Sequence, residues 1–125
     1  MAKVLLIEDD SETAEEITAE LADRGFEVEW SANGIEGLDK ARSSRPDAMI
    51  VDRLLPGMDG LTVVKTLRAN SRTYRLPILM LTARTDEPST RAGFEAGVTD
   101  YVTKPFSVPL LIARVHACLA RTQLP

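Results

Sequence analysis

The chain alternates five times between a short apolar run and a segment of helical periodicity, and few folds accommodate such a sequence. Runs such as KVLLI, AMIV and PILML have the length of buried strands, and apolar residues recur every three or four positions in the segments between them. Several runs lack polar alternation, as is typical of strands covered on both faces. The pattern predicts an α/β fold, with a five-stranded parallel sheet between two layers formed by five helices.

The predicted helices have recognisable faces and starts. In the second helical segment, NGIEGLDKARSS, we expect Ile35, Leu38 and Ala41 to form the buried face. Asp10 and Asp59 each stand just before a helical segment, so we interpret both as residues that stabilise a helix start.

Composition limits the kinds of function. A chain of 125 residues is expected to form one domain, and its net charge of −4 disfavours general binding to nucleic acids or membrane surfaces. The single cysteine, Cys118, excludes an intrachain disulfide and is expected to be buried. No signal peptide and no run of membrane-spanning length is present, so we expect a cytoplasmic protein.

Polar residues follow four of the predicted strands. Glu8 and Asp9 follow the first strand, Asp52 the third, Thr82 the fourth, and Lys104 comes just after the fifth. Because the carboxyl ends of parallel strands form the working edge of such sheets, these side chains are expected to meet in one pocket. Three carboxylates would repel one another there unless a cation offsets their charge. Carboxylate oxygens suit Mg²⁺, and a lysine adds a second positive charge.

A cation, an ammonium group and a hydroxyl around one carboxylate are suited to phosphoryl transfer, because positioning and charge stabilisation carry most of that chemistry. Aspartate is a known covalent acceptor of phosphoryl groups. We therefore hypothesise that Asp52 is the nucleophile. Each residue alone has a simpler interpretation, since Thr82 would be a helix cap and Lys104 a solvated loop residue in most proteins.

Four motifs in this order, LLIEDD, IVDRLLPGMDG, LMLTAR and DYVTKPF, resemble the receiver domain of two-component response regulators. Thr82 lies thirty residues after Asp52, and Lys104 lies twenty-two after Thr82. The resemblance covers residues 3 to about 121. It implies a flavodoxin-like, doubly wound sheet with strand order 2-1-3-4-5, a receiver domain over residues 1–121 and the start of a linker or tail at 122–125.

The resemblance also implies a role for each site residue. Asp52 matches the phosphoacceptor. Glu8 and Asp9 match the acidic pair that binds Mg²⁺ together with Asp52, and the backbone carbonyl of Leu54 completes the protein's share of the metal shell. Leu54 and Arg84 occupy positions that tune the access of water to the phosphoryl group, and we expect these bulky side chains to slow its hydrolysis.

The remaining implied roles concern the response to phosphorylation. Thr82 matches the switch hydroxyl that turns toward the phosphoryl group, and Tyr101 matches the aromatic switch residue that moves with it. Lys104 matches the lysine that binds a phosphoryl oxygen. The family also places a cis peptide bond before the next proline, so we predict a cis bond between Lys104 and Pro105.

The phrase LIARVHACLAR in the last helix resembles receivers of the OmpR/PhoB-like subfamily, which precede a winged-helix DNA-binding domain. This resemblance implies a homodimer through the fourth helix, fifth strand and fifth helix. Asp100, Arg114 and Arg121 match some of the charged residues of that face. The sequence departs from the subfamily at Leu110, which is usually Glu, and at Thr99, which is often Asp.

The function implied is a phosphorylation-activated switch that receives its phosphoryl group from a sensor histidine kinase. It would be a signalling domain rather than an enzyme, with at most self-catalysed phosphotransfer and dephosphorylation. We expect a DNA-binding effector in a separate domain and no direct nucleic-acid binding by these residues. The alternatives are a phosphate-independent docking module on the same fold, and a phosphohydrolase with an aspartate nucleophile. The second needs a carboxylate two residues after Asp52, where Leu54 stands.

Overall fold

The structure of the protein is a computed structural model that describes the backbone of residues 1–123 and the side chains of residues 1–120. The side chain of Arg121, which we interpret as part of a dimer face, lies outside the described residues. Residues 124 and 125, the end of the predicted linker segment, lie outside them as well. No helix in residues 1–123 is long and apolar enough to span a bilayer.

Within residues 1–123, ten elements alternate strictly between strand and helix. The strands are β1 (Lys3–Ile7), β2 (Glu27–Ser31), β3 (Ala48–Asp52), β4 (Ile78–Thr82) and β5 (Asp100–Thr103). The helices are α1 (Ser11–Asp23), α2 (Gly34–Ser44), α3 (Gly60–Arg68), α4 (Glu87–Ala96) and α5 (Val108–Gln123). The predicted order of strands and helices is confirmed.

The five strands form one parallel sheet with the order β2-β1-β3-β4-β5, which confirms the predicted flavodoxin-like topology. The chain starts at an inner strand, turns outward to β2 and then crosses to β3. The order therefore reverses between β1 and β3, and the loops after these strands diverge to leave a crevice. Asp52 pairs with Leu81 as the last residue of β3, so its carboxylate stands at the mouth of this crevice.

Side chains of the central strands divide between two apolar cores, one on each face of the sheet. On one face, residues such as Leu6, Ile50 and Leu81 pack against α1 and α5, and Cys118 is buried there as predicted. On the other face, residues such as Leu5 and Val51 pack against α2, α3 and α4. Burial on both faces explains why these strands lack polar alternation.

The prediction for the buried face of α2 is wrong at Ile35, whose surface is 56% exposed. The buried stripe of this helix runs through Gly34 and Gly37 instead, together with Leu38 and Ala41. A side-chain carbon on Gly37 would overlap the side chain of Ile7, so the absence of one lets α2 lie close to β1. Hydrophobic periodicity does not detect a packing face made by glycines.

Helix starts are capped by side chains, as predicted for two of them. The carboxylate of Asp10 accepts a hydrogen bond from the backbone N–H of Thr13 at the start of α1, and that of Asp59 accepts one from Thr62 at the start of α3. Asp86 caps α4 in the same way. These contacts satisfy backbone donors that have no partner within the helix.

Candidate acidic site at the carboxyl edge of the sheet

The strand ends bring Lys104 between two buried carboxylates. Its Nζ lies 2.8 Å from Oδ2 of Asp52 and 3.1 Å from Oε1 of Glu8. Glu8 is fully buried and Asp52 almost so. A buried carboxylate is stable only when a positive charge or hydrogen bonds compensate it, and Lys104 provides both for two acids at once.

A third carboxylate completes the cluster. Ligand oxygens of Glu8, Asp9 and Asp52 all lie within 4.8 Å of one another. Asp9 is exposed, so the cluster opens to solvent on one side. A set of three carboxylate oxygens with an open side fits a hard divalent cation that retains some of its water, as Mg²⁺ does.

The clustered charges shift the pKa values of two side chains in the pocket. Burial, with the hydrogen bond and negative charge of Asp52, raises the pKa of Glu8 to about 7, against the opposing effects of the Asp10 backbone N–H and of Lys104. Burial alone would lower the pKa of Lys104, but its hydrogen bonds to Asp52 and Glu8 outweigh that effect, so its pKa is raised. The lysine is therefore charged at neutral pH. A further cation in the pocket would stabilise the ionised form of Glu8.

Local backbone contacts fix the two loops that carry the acids. In the β1–α1 loop, the N–H of Asp10 donates to Oε2 of Glu8 at 3.3 Å. In the β3–α3 loop, the N–H of Leu54 donates to Oδ1 of Asp52 at 3.3 Å. The side chain of Leu54 itself is 73% exposed at the rim. The peptide bond between Lys104 and Pro105 is cis, which confirms the prediction.

Thr82, at the end of β4, lines the same cavity of about 310 Å³ as the acids and Lys104. Its hydroxyl oxygen accepts a hydrogen bond of 2.9 Å from the backbone N–H of Arg84. That bond uses the oxygen as an acceptor, so the hydroxyl hydrogen stays available to a further anionic oxygen.

Tyr101 lies apart from the acids, against α4. Its hydroxyl donates to the carbonyl of Thr90 at 3.1 Å and is 3.5 Å from that of Ser89. Its ring meets that of Phe94 edge-on, with 5.1 Å between the centroids. Six of the seven predicted site residues therefore line one pocket, while Tyr101 lies at the neighbouring surface of α4, β5 and α5.

Two neighbours of the pocket were not predicted from the sequence. The indole N–H of Trp30 donates to the backbone carbonyl of Glu8. The guanidinium of Arg53 reaches the carbonyl of Ser89 in α4. The register of β2 against β1, in which Ser31 pairs with Ile7, places Trp30 beside the β1–α1 loop, but the reach of Arg53 has no signal in the sequence.

Most of the chain matches one known family. The sequence model described as the response regulator receiver domain matches residues 4–116. Response regulator MprA of Mycobacterium avium (strain 104) is 40% identical over 121 residues, which are 97% of this chain and 52% of the relative. MprA of Mycobacterium tuberculosis (strain ATCC 25618 / H37Rv) gives the same values. The chain thus spans about half the length of these relatives.

Solved structures of response regulators and receiver domains have the same fold as this chain. The chemotaxis response regulator CheY4 of Vibrio cholerae is 36% identical with a TM-score of 0.90, covering 94% of this chain and 98% of that one. A second solved structure is the receiver domain of sensor histidine kinase PA1611 from Pseudomonas aeruginosa PAO1, which has a magnesium ion coordinated in its active site cleft. It is 31% identical with a TM-score of 0.88, and the match covers 95% of this chain and 98% of that one. With its acid pocket and strand order, this chain belongs to the receiver domains of two-component response regulators.

Proposed function

We propose that this domain is a phosphorylation-activated switch in which Asp52 accepts a phosphoryl group from a sensor histidine kinase. The observation that carries the proposal is the position of Lys104, which bridges Asp52 and Glu8 with its Nζ 2.8 and 3.1 Å away. A purely structural lysine would need only one carboxylate. Here the ammonium group shares a buried site with a second acid, and a phosphoryl group on Asp52 would offer it additional oxygens.

The metal proposal rests on the clustered carboxylates. Glu8, Asp9 and Asp52, with the backbone carbonyl of Leu54, would hold Mg²⁺. When bound, the ion supplies positive charge to the oxygens of the transferring phosphoryl group. The raised pKa of Glu8 fits this role, because a site that favours protonation without a metal has an excess of negative charge.

In the transfer step, an oxygen of the Asp52 carboxylate forms a bond to phosphorus while the bond from phosphorus to the donor's imidazole nitrogen breaks. The nitrogen retains the electron pair of the broken bond. Lys104 stabilises the negative charge on a phosphoryl oxygen, and the hydroxyl of Thr82 donates to another. No proton has to be removed from Asp52, because the carboxylate is the nucleophile.

The output proposal concerns the surface formed by α4, β5 and α5. Thr82 and Tyr101 would link the phosphoryl group to this surface by a shift between two populated states. Asp100 and Arg114, two proposed partners at a dimer face, bind each other within the single chain, with Nη1 2.7 Å from Oδ2. Leu110, one helical turn before Arg114 in α5, is 46% exposed and offers apolar surface to a partner. We propose that this face forms a homodimer or contacts an effector domain.

The longer relatives support the proposal of an effector. Because the chain spans about half of the MprA sequences it matches, we propose that it regulates transcription through a DNA-binding domain outside residues 1–121. We also propose a cytoplasmic setting, where such a domain and a kinase would meet it. The phosphohydrolase alternative lacks support, because the side chain of Leu54 cannot transfer a proton to a leaving group.

The test is to incubate the protein with Mg²⁺ and acetyl phosphate and to measure its intact mass. We expect one added phosphoryl group, absent from D52N and absent without Mg²⁺. D59N is the matched control, since it removes an acid from the same loop but keeps a side chain that can cap α3. No adduct and no Mg²⁺ binding would favour the docking module. Steady turnover of a phosphomonoester would favour the phosphohydrolase.

A further inference from the structure

Arg53 connects the β3–α3 loop, which begins directly after Asp52, to α4. It follows Asp52 in the chain, and its backbone N–H donates to the carbonyl of Leu81 at 2.9 Å, which extends the pairing of β3 with β4. From this fixed position its half-buried side chain crosses to α4, where Nη1 donates to the carbonyl of Ser89 at 3.0 Å. Arg53 also lines the cavity that holds Asp52 and Lys104.

The acceptor of this bond is shared with Tyr101. The hydroxyl of Tyr101 lies 3.5 Å from the same carbonyl of Ser89 and 3.1 Å from that of Thr90. Ser89 is buried, and the carboxylate of Asp86 accepts from both its backbone N–H and its hydroxyl. The first turn of α4 therefore receives one side chain from the β3–α3 loop and one from β5, at a residue whose own N–H and hydroxyl are both bonded.

Charge effects agree with this geometry. Burial raises the pKa of the Tyr101 hydroxyl, and the positive charge of Arg53 opposes that rise. Among the residues whose side chains are described, Arg53 forms no ion pair with a carboxylate. Its half-buried charge is bonded to a neutral carbonyl, which is a weaker partner than an anionic oxygen.

We propose that Arg53 is a positioning residue that couples phosphorylation of Asp52 to α4. Before phosphorylation its guanidinium holds the first turn of α4 through Ser89. A phosphoryl group on the adjacent Asp52 brings additional negative charge and anionic oxygens, which compete with the carbonyl for the guanidinium. Release of the carbonyl loosens the contact that Tyr101 shares. This route runs beside the one through Thr82, and it rests on the proposed function.

The experiment uses the two tyrosines of the chain as separate reporters. In protein labelled with 3-fluorotyrosine, ¹⁹F NMR gives one resonance for Tyr101 and one for Tyr74. Arg75 lies over the ring of Tyr74, with Cζ 5.9 Å from the centroid. Arg53 acts on Tyr101 through its charge and through the Ser89 carbonyl that both side chains approach. R53Q and R75Q are therefore matched substitutions that remove the same charge from beside one tyrosine or the other.

In the unphosphorylated protein we expect R53Q to shift the Tyr101 resonance and to raise the pKa of that ring hydroxyl, and to leave the Tyr74 resonance in place. R75Q should shift the Tyr74 resonance and leave that of Tyr101 in place. R53K should bring the pKa of Tyr101 back toward the wild-type value, because it restores the charge. A Tyr101 resonance and pKa that are the same in R53Q and wild type would overturn the contact.

The coupling is tested by adding Mg²⁺ with beryllium fluoride, a stable mimic of a phosphoryl group on aspartate. We expect the change at Tyr101 to fall to half or less of the wild-type change in R53Q, and further in R53Q combined with T82A. A full wild-type response in R53Q would overturn the coupling and leave the proposed function intact. No response in wild type, together with no mass adduct from acetyl phosphate, would overturn the proposed function and the coupling with it.

Discussion

The indole Nε1 of Trp30 donates a hydrogen bond of 2.7 Å to the backbone carbonyl of Glu8. The carbonyl of Trp30 in turn accepts a bond of 2.8 Å from Nζ of Lys40 in α2. The end of β2 is thereby tied to the loop that presents Glu8 and Asp9 to the pocket. Because the side chain of Glu8 is fully buried, any change in its position is expected to move this carbonyl as well.

The first prediction is that Trp30 reports binding of Mg²⁺. It is the only tryptophan of the chain, so the intrinsic fluorescence comes from one side chain. We expect a saturable change in its intensity on titration with Mg²⁺, because charge compensation at Glu8 and Asp9 alters the group to which the indole is bonded. D9N should abolish the change, whereas D59N should retain it. Binding seen by calorimetry with no change in fluorescence would contradict the prediction.

The second prediction concerns stability in the absence of metal. The pKa of Glu8 is raised from 4.5 to about 7 in the folded protein. The folded state therefore binds more protons than the unfolded state between these values, and the stabilising effect is complete below 4.5. Stability from this group falls as the pH rises, and it is lost above about 7. Because one pKa unit corresponds to about 1.36 kcal/mol, the raised pKa of Glu8 corresponds to roughly 3 kcal/mol in the free energy of unfolding.

E8Q tests this prediction, because glutamine resembles the protonated acid and does not titrate. We expect urea denaturation in EDTA to show wild type losing stability relative to E8Q between about pH 5 and about pH 8. The variant should be the more stable protein at the higher pH. A constant difference between wild type and E8Q across this range would show that Glu8 titrates normally.

Much of the fold and of the pocket could be predicted because both depend on local patterns. The apolar runs identify the strands, and the geometry of a parallel sheet then brings Glu8, Asp52 and Lys104 to the same edge. The reach of Arg53 and the bond of Trp30 could not be predicted in this way. A long side chain has many rotamers, and the one it adopts depends on neighbours that are distant in sequence, such as Ser89.

Ile35 shows the same limit within a helix. Its hydrophobicity predicts burial, but the surface of α2 that packs inward is formed at Gly37, against Ile7 of β1, and at Gly34, against Met58 and Val63. The glycines allow the closest approach, and Ile35 is left at the solvent side near Pro56 and Gly57. The close approach of α2 to its neighbours, rather than hydrophobicity, therefore determines which residues of this helix are buried.

The third prediction concerns the lifetime of the phosphoryl group. The side chains of Leu54 and Arg84 stand at the rim of the cavity, and Arg84 pairs with Asp86 at 3.5 Å. An apolar residue at position 54 cannot orient an attacking water, so we expect slow hydrolysis. L54N should shorten the lifetime several-fold, measured by loss of the adduct in intact mass after removal of the donor. L54M, which preserves volume and polarity, should leave it nearly unchanged. Rapid hydrolysis in wild type that L54N does not alter would contradict this account.

Gly93 lies in α4 against Tyr101, and this contact gives the fourth prediction. A side-chain carbon at position 93 would overlap the hydroxyl of Tyr101, so only glycine lets the ring lie on the helix and reach the Thr90 carbonyl. In an otherwise free helix interior, alanine is more favourable than glycine by about 0.5–1 kcal/mol. Overlap with the ring lowers the stability of an alanine variant, whereas the higher helix propensity of alanine raises it. The presence of the ring therefore decides which effect dominates.

We therefore expect G93A to lower the free energy of unfolding in wild type but to raise it in the Y101A background. A double-mutant cycle by urea denaturation measures this change of sign, and A92G serves as a control for helix propensity at a neighbouring position. The displaced ring should also shift the Tyr101 ¹⁹F resonance in G93A. If G93A stabilised both backgrounds equally, the ring would not occupy the space above Gly93, and the contact of Tyr101 with α4 would have to be abandoned.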